Sequence, residues 1–182
     1  MWEMPRGSGR FLSERELAQV SALFSQIMPG DAERGIPGAA DANAVRYLDR
    51  TLGLEQSAFY ELDAWREAYV TGLAALARVA EEQHQAPLEA LSPAQLTAML
   101  EEMEKGELRG APTGWDQKKF FGLLRQHCIQ GCFGDPRWGG NEGKVIWRWI
   151  GYLQEPETFP LPVVKFEAIR TQPQPQPDTV TP

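Results

Sequence analysis

The chain has 182 residues, of which 42% are hydrophobic and 24% are charged, and this composition is typical of a globular protein with one core. Its formal net charge of −7, with no cluster of lysine and arginine to offset it, argues against nucleic acid or an anionic membrane surface as a partner. No apolar run approaches the ~20 residues of a transmembrane helix, so the sequence predicts no direct membrane span.

The first predicted helix begins after Ser13. Ser13 and Glu16 have the spacing of a capping box, in which each side chain bonds the backbone amide of the other residue. Apolar residues then recur at helical spacing until Pro29 and Gly30 end the helix. Residues 1–10 precede this signal, and we expect them to form a flexible N-terminus.

Two further helices are predicted in the first half of the chain. Residues 30–38 are rich in glycine and proline, so they predict a loop. Asp41 is a candidate N-cap for the second helix, and Gly53 stands where a left-handed C-terminal cap is needed. A longer helix is predicted from about Gln56 to about Glu82, because its apolar residues keep the helical period.

The second half of the chain carries two more strong helix signals. The segment 92–95 places an N-cap serine before a proline at the first helical position and a glutamine at the third. A further helix is predicted from Trp115 to Phe133. Its expected inward-pointing residues are Phe120, Phe121, Leu124, Cys128 and Ile129.

A glycine-rich segment with several aromatic residues follows this helix. Gly134-Asp135-Pro136 ends the helix, and residues 139–143 predict a compact loop. The short aromatic segment 145–152 comes next. After Pro156 the composition is dominated by proline and glutamine, so residues 156–182 are expected to form an extended tail.

These patterns together predict the fold class. No alternation typical of β-strands persists along the chain. We therefore predict an all-α protein, a compact bundle of about five to six helices with a Gly-rich aromatic loop and an extended Pro-rich C-terminal tail. Residues 11–155 are expected to form a single helical domain.

Three residues near the end of the predicted helix 115–133 suggest chemistry. His127, Cys128 and Cys132 lie close together in sequence, but His84, the other histidine, is distant, which argues against a metal site. A disulfide within the helix is disfavoured, because Cβ atoms at i and i+4 lie about 5–6 Å apart and a disulfide needs about 3.8 Å. Two interpretations remain open: buried reduced thiols, or a bond from Cys132 to a cysteine of another chain.

The loop 139–143 and its neighbouring rings also allow two interpretations. The loop lacks the Gly-Lys-Ser/Thr ending of a phosphate-binding loop, so a tight structural turn is the better interpretation. The rings of Trp138, Trp147, Trp149 and Tyr152 are crowded into a short segment. Such rings either complete the core or anchor a partner, and tryptophan is enriched in the second role.

The same segment carries a family resemblance. Residues 131–141, followed by Trp147 and by Ile150-Gly151-Tyr152, resemble the signature of the gluconate 2-dehydrogenase subunit 3 family. That signature has a glycine-aromatic step, Asp-Pro, an aromatic residue, Gly-Gly-Asn, a tryptophan and an aliphatic-Gly-aromatic ending. The resemblance extends from about Phe11 to Tyr152, and Trp138 stands where the family commonly has tyrosine.

The resemblance implies a non-catalytic small subunit that holds no cofactor itself. Members of this bacterial family pair with a large flavoprotein of the glucose-methanol-choline (GMC) type, which carries FAD and oxidises gluconate, another sugar or an alcohol. A cytochrome c subunit with haem c often accepts the electrons. The small subunit is thought to support stability, maturation or export of the large one. We expect the partner interface among the motif residues Cys132, Asp135, Pro136, Trp138, Gly139, Gly140, Asn141, Trp147, Gly151 and Tyr152.

Location and rival functions remain open at this point. The resemblance implies the periplasm, but residues 1–10 show neither a basic region followed by an apolar stretch nor a twin arginine. A cytoplasmic location, or export together with a partner, therefore also fits the sequence. One rival function is a transient folding or export chaperone for the flavoprotein, and another is a small redox protein that uses Cys128, Cys132 and His127.

Overall fold

The computed structural model describes residues 11–55 and 59–152. Within these ranges the chain forms six α-helices: α1 (Glu14–Ile27), α2 (Ala44–Leu52), α3 (Leu62–His84), α4 (Pro93–Lys105), α5 (Gln117–Phe133) and α6 (Val145–Trp149). No strand occurs in these ranges, although a single bridge joins Asp31 to Ile36. The predicted all-α class is confirmed. The predicted flexible N-terminus and proline-rich tail lie outside the described residues.

Two helix starts follow the local capping signals. At α1 the Ser13 side chain accepts a hydrogen bond from the Glu16 amide, and the Ser13 amide donates to the Glu16 carboxylate at 2.8 Å. At α4 the Ser92 hydroxyl and the Gln95 side chain make the same reciprocal pair. An N-cap of this kind contributes about 1 kcal/mol to helix stability, so short-range sequence alone was sufficient to predict these starts.

The predicted N-cap of α2 was wrong, and the predicted C-cap residue is correct but not left-handed. The Asp41 carboxylate accepts a hydrogen bond from the Gly38 amide at 2.8 Å, so it closes the loop before α2 and does not cap the helix. The N-cap is Asn43, which has a left-handed backbone (φ 50°) and makes no side-chain cap bond. At the other end Gly53 has φ −82°, so the C-terminal cap is not left-handed. The Gly53 amide bonds the Asp49 and Thr51 carbonyls, so it closes α2 without a left-handed residue.

The start of α3 at Leu62 also corrects the prediction of a helix from Gln56. Residues 56–58 lie outside the described residues, and residues 59–61 precede the helix as a turn. Leu54, in the connection between α2 and α3, is buried, with 5% of its surface exposed. The Arg66 guanidinium then donates to the backbone carbonyls of Leu52 and Leu54, which holds the end of α2 beside the first turns of α3.

Helix α5 lies at the centre of the bundle and contacts α1, α2, α3, α4 and α6. Phe120 of α5 packs on Gly72 of α3 so closely that a Cβ at Gly72 would lie within 2.6 Å of the ring. Leu124 and Cys128 are buried as predicted, but the prediction for Ile129 was wrong, since its side chain is 47% exposed. No described helix is long and apolar enough to cross a bilayer.

Candidate partner-binding surface

The turn that follows α5 lies directly against the helix backbone. Gly140 faces Gly131, and a Cβ added at Gly140 would lie 2.8 Å from the Gly131 Cα and closer still to its carbonyl oxygen. Gly131 in turn faces the start of α2, where an added Cβ would lie 2.8 Å from the Ala44 carbonyl oxygen. Since no side chain fits between these backbones, both glycines are needed for the close approach.

Asn141 holds the turn closed from the inside. Its side chain is fully buried, its amide nitrogen donates to the Gly134 carbonyl at 3.2 Å, and its oxygen accepts from the Ile146 amide at 3.0 Å. Its backbone is left-handed (φ 46°), a conformation that asparagine tolerates better than most residues. One side chain thus joins the end of α5 to the start of α6.

The Asp-Pro step at the start of the turn is a local cap. The Asp135 carboxylate accepts a hydrogen bond from the Arg137 amide at 3.0 Å and pairs with the Arg137 guanidinium at 2.7 Å. The guanidinium hydrogen bond lowers the pKa of Asp135, so the carboxylate stays charged at neutral pH. Pro136 occupies the first position of the 3-10 turn Pro136–Trp138, and Trp138 is half-buried at its end.

Glu142 fastens the turn to α2 as well. Its amide donates to the Ala42 carbonyl at 3.0 Å, and its carboxylate accepts from the Asn43 side chain at 2.7 Å. Next to it, Gly139 has φ 111° and lies against α2, where an added Cβ would be 2.8 Å from the Arg50 Cδ. The turn is therefore fixed on both α2 and α5.

The segment after the turn presents aromatic rings at the protein surface. The Trp147 indole donates to the Phe133 carbonyl at 2.8 Å, which satisfies a carbonyl at the open end of α5. The Tyr152 ring packs on the Trp147 ring with centroids 4.9 Å apart, and Gly151 (φ 73°) reverses the chain between them. We call the group formed by the exposed Phe133, Trp149, Ile150 and Tyr152 and the half-buried Trp147 the aromatic surface.

The structure divides the predicted interface residues into two groups. Cys132, Gly139, Gly140 and Asn141 are buried, and they build the turn. Asp135, Pro136, Trp138, Trp147, Gly151 and Tyr152 are exposed or half-buried. Sequence reasoning did not single out Phe133 or Ile150, which are 39% and 48% exposed. Their exposure left no signal in the sequence, because Phe133 lies four residues after Ile129 and Ile150 four residues after the buried Ile146, so both keep a helical apolar period.

The residues considered for redox or metal chemistry are enclosed in the core. Cys128 and Cys132 are free thiols with no exposed surface. The hydrogen bond with Cys132, followed by burial, raises the pKa of Cys128 and keeps it protonated. Burial lowers the pKa of His127 to about 4, so its imidazole is neutral, and its Nδ1 lies 3.1 Å from the Tyr69 hydroxyl. Among the described residues no group of three or more His, Cys, Asp or Glu could hold a metal ion.

Comparison with known proteins identifies one family. The sequence model of gluconate 2-dehydrogenase subunit 3 matches residues 14–153. The match covers all the helices of the described residues and the complete turn with its aromatic surface. No curated protein and no solved structure matches the chain.

Proposed function

The chain belongs to the gluconate 2-dehydrogenase subunit 3 family, and we propose that it is the non-catalytic small subunit of a flavin-dependent dehydrogenase complex. In this proposal the partner is a large GMC-type flavoprotein that carries FAD and oxidises gluconate, another sugar or a related alcohol. A cytochrome c subunit with haem c is the proposed electron acceptor. The small chain holds no cofactor and acts by protein contact.

The aromatic surface is the observation that carries this proposal. Phe133, Trp149, Ile150 and Tyr152 are between 39% and 67% exposed, and all lie within residues 131–152, the segment that carries the family signature. Aromatic residues are enriched in the centres of protein interfaces, where a few rings supply most of the binding energy. A surface of this composition favours a stable protein partner.

The scaffold beneath the aromatic surface supports the same function. Helix α6 has five residues, yet Ile146 is fully buried and the Trp147 indole is bonded to the end of α5. A segment that is already ordered loses little conformational freedom when a partner binds. The buried turn therefore contributes to affinity indirectly, because it presents the rings in one arrangement.

Copurification from the native host tests the proposal. The full chain, produced with an affinity tag at its natural level, should elute with a flavoprotein in equal amount, with the visible absorbance of flavin and with sugar or alcohol dehydrogenase activity. A flavoprotein that binds only before FAD is loaded would instead identify a transient chaperone. Elution of the chain alone, with no flavoprotein, would contradict both versions.

A matched pair of variants locates the contact. Ile150 and Val70 are aliphatic side chains with almost equal exposure, 48% and 50%, but Val70 lies on α3, away from the aromatic surface. We expect Ile150→Asp to reduce recovery of the flavoprotein by roughly tenfold or more, because it places a charge in an apolar contact. Val70→Asp should leave recovery unchanged. Equal recovery with both variants would remove the aromatic surface from the interface.

A further inference from the structure

A second surface feature is a groove between α3 and α5, with a volume of about 960 Å³. We call it the α3–α5 groove. Its lining is mainly apolar where the helices face each other, with Trp65 and Ala68 on α3, Leu123 and Ile129 on α5, and Trp115 just before α5. The family motif contributes no residue to it. Its size is at the upper end of what binding sites for small molecules and peptides show.

Small residues keep the groove open. Ala64 and Ala68 face it from α3, and Gly122 faces it from α5. A Cβ added at Gly122 would meet no atom within 4 Å. The same two helices are in close contact farther along, where the Phe120 ring lies on Gly72. The groove is thus a surface gap between two helices that are in contact on their buried sides.

The floor of the groove is rigid. The Trp65 indole, which lines the groove, packs against the His127 imidazole with ring centroids 4.9 Å apart and nearly perpendicular planes. The imidazole is bonded to the Tyr69 hydroxyl, and the Tyr69 ring packs on Phe120. These fully buried aromatic contacts fix the Trp65 ring in place.

The two walls of the groove carry opposite charges. Glu61, at the N-cap of α3, and Glu67 stand on one wall, and Lys119 and Arg125 stand on the α5 wall. Asp116 also lines the groove on the α5 side, but its carboxylate caps α5 by accepting a hydrogen bond from the Lys119 amide. None of the ion pairs formed among the described residues includes Glu67, Lys119 or Arg125. An occupant with basic side chains toward α3 and acidic side chains toward α5 would therefore be oriented by both walls.

The groove is continuous with the aromatic surface. Ile129, which lines the groove, and Phe133, which belongs to the aromatic surface, are four residues apart on α5 and share one face of the helix. Their side chains are 47% and 39% exposed. A partner seated on the aromatic surface therefore meets the groove at its edge.

We propose that the α3–α5 groove binds an amphipathic helix of the flavoprotein subunit, an inference that rests on the proposed function. The apolar stripe of this helix lies on Trp65 and Leu123, its basic side faces Glu67, and its acidic side faces Lys119 and Arg125. Within α5 the lining extends from Lys119 to Gln130. At 1.5 Å per residue this gives a groove about 17 Å long, which accepts about three helical turns.

The test fills the groove without disturbing the chain. Gly122→Phe places a ring where nothing now lies, while Ala74→Phe adds the same ring to an exposed position of α3 outside the groove. The probe is the flavoprotein recovered with the wild-type chain, and its dissociation constant is measured for both variants. Circular dichroism and thermal unfolding establish that each variant is folded. We expect Gly122→Phe to weaken binding roughly tenfold or more and Ala74→Phe to leave it unchanged.

A charge-reversal variant gives a second measurement that does not depend on the added ring. Glu67→Lys combined with Lys119→Glu changes two exposed side chains, and we expect weaker binding whose loss shrinks at high salt. Undiminished affinity for both Gly122→Phe and the reversed pair would overturn the groove inference and leave the proposed function standing. If the wild-type chain recovers no flavoprotein, both fail.

Sedimentation of the isolated chain separates the other occupants. A wild-type dimer that Gly122→Phe converts to a monomer would assign the groove to a second copy of the chain and overturn the inference. A monomer in both cases, together with the loss of flavoprotein affinity, supports it. A small apolar molecule that copurifies with the isolated wild-type chain and is absent from Gly122→Phe would also overturn it.

Discussion

Two glycines of α5 have opposite surroundings. At Gly131 an added Cβ would lie 2.8 Å from the Ala44 carbonyl oxygen and 3.0 Å from the Ala44 Cα, so the helix meets α2 backbone to backbone. At Gly122 an added Cβ would meet nothing within 4 Å. At position 131, glycine thus allows two backbones to pack closely. At position 122, earlier in the same helix, it leaves one wall of the groove without a side chain.

The difference between the two glycines distinguishes residues that build the fold from residues that are exposed to a partner. The motif that identifies the family is concentrated where α5, α2 and the turn touch, because only certain residues satisfy those contacts. The surfaces that we propose to meet a partner are the outward-facing side chains of the same segment and the neighbouring α3–α5 groove, which contains no motif residue. The motif therefore indicates which segment carries the proposed interface. The residues that bind are identified by the exposed fraction of their side chains.

The largest expected effect on stability is in the closely packed turn after α5. Gly140→Ala places a methyl group against the Gly131 carbonyl, and no change of rotamer can relieve a clash with backbone. We expect the free energy of unfolding to fall by about 3 kcal/mol or more. Urea denaturation of the full chain measures the change. A loss below about 1 kcal/mol would mean that the turn is looser than described.

The buried floor beneath the groove predicts an intermediate effect that depends on pH. The pKa of His127 is lowered by burial from 6.5 to about 4, so the unfolded chain binds a proton first as the pH falls. Stability is therefore present at neutral pH and is lost through the window from 6.5 down to about 4. Between pH 7 and pH 5 this histidine should account for about 2 kcal/mol of lost stability.

The variant His127→Asn isolates that contribution, because its side-chain amide does not titrate and can both donate to and accept from the Tyr69 hydroxyl. Its stability at neutral pH should be lower than that of the wild type, but its loss of stability between pH 7 and pH 5 should be smaller by about 2 kcal/mol. Denaturation curves at both pH values give this difference, in which other titrating groups cancel. Parallel pH profiles for the two proteins would show that His127 is not held neutral.

The smallest expected effect on stability is at Gly122 in the α3–α5 groove, where we expect a gain and not a loss. Gly122→Ala adds a methyl group without a clash and removes a flexible residue from a helix. We expect a gain of about 0.5–1 kcal/mol in the free energy of unfolding. The same urea experiment as for Gly140→Ala measures it. A loss of stability would indicate that another side chain already occupies the space beside Gly122.

The sequence predicted the features whose causes are local. Ser13 and Ser92 correctly predicted the starts of α1 and α4, because both partners of each cap lie within four residues of sequence. Asp41 was assigned wrongly because its carboxylate bonds the Gly38 amide on the loop side and not an amide of α2. Gly53 ends α2 as expected, but its backbone is not left-handed. The start of α3 was misplaced because Phe59 extends the apolar period, although it lies before the helix and is 39% exposed.

The candidate site was predictable in position and less so in detail. The motif marked the turn after α5, but only the contacts of Gly140 and Asn141 with distant backbone decide that these residues are buried. The exposure of Ile150 depends on the same packing. The groove left no sequence signal, because it arises from the separation of α3 and α5 beyond the Gly72–Phe120 contact.

Hydrogen exchange of the chain, alone and in complex with the flavoprotein, tests the central claim most directly. The claim is that the rigid turn presents the aromatic surface to that subunit. Mass spectrometry after exchange reports the protection of each segment. We expect residues 145–152 to gain the strongest protection in the complex. Unchanged exchange there, with protection confined to the faces of α1 and α4 remote from the turn, would contradict the account.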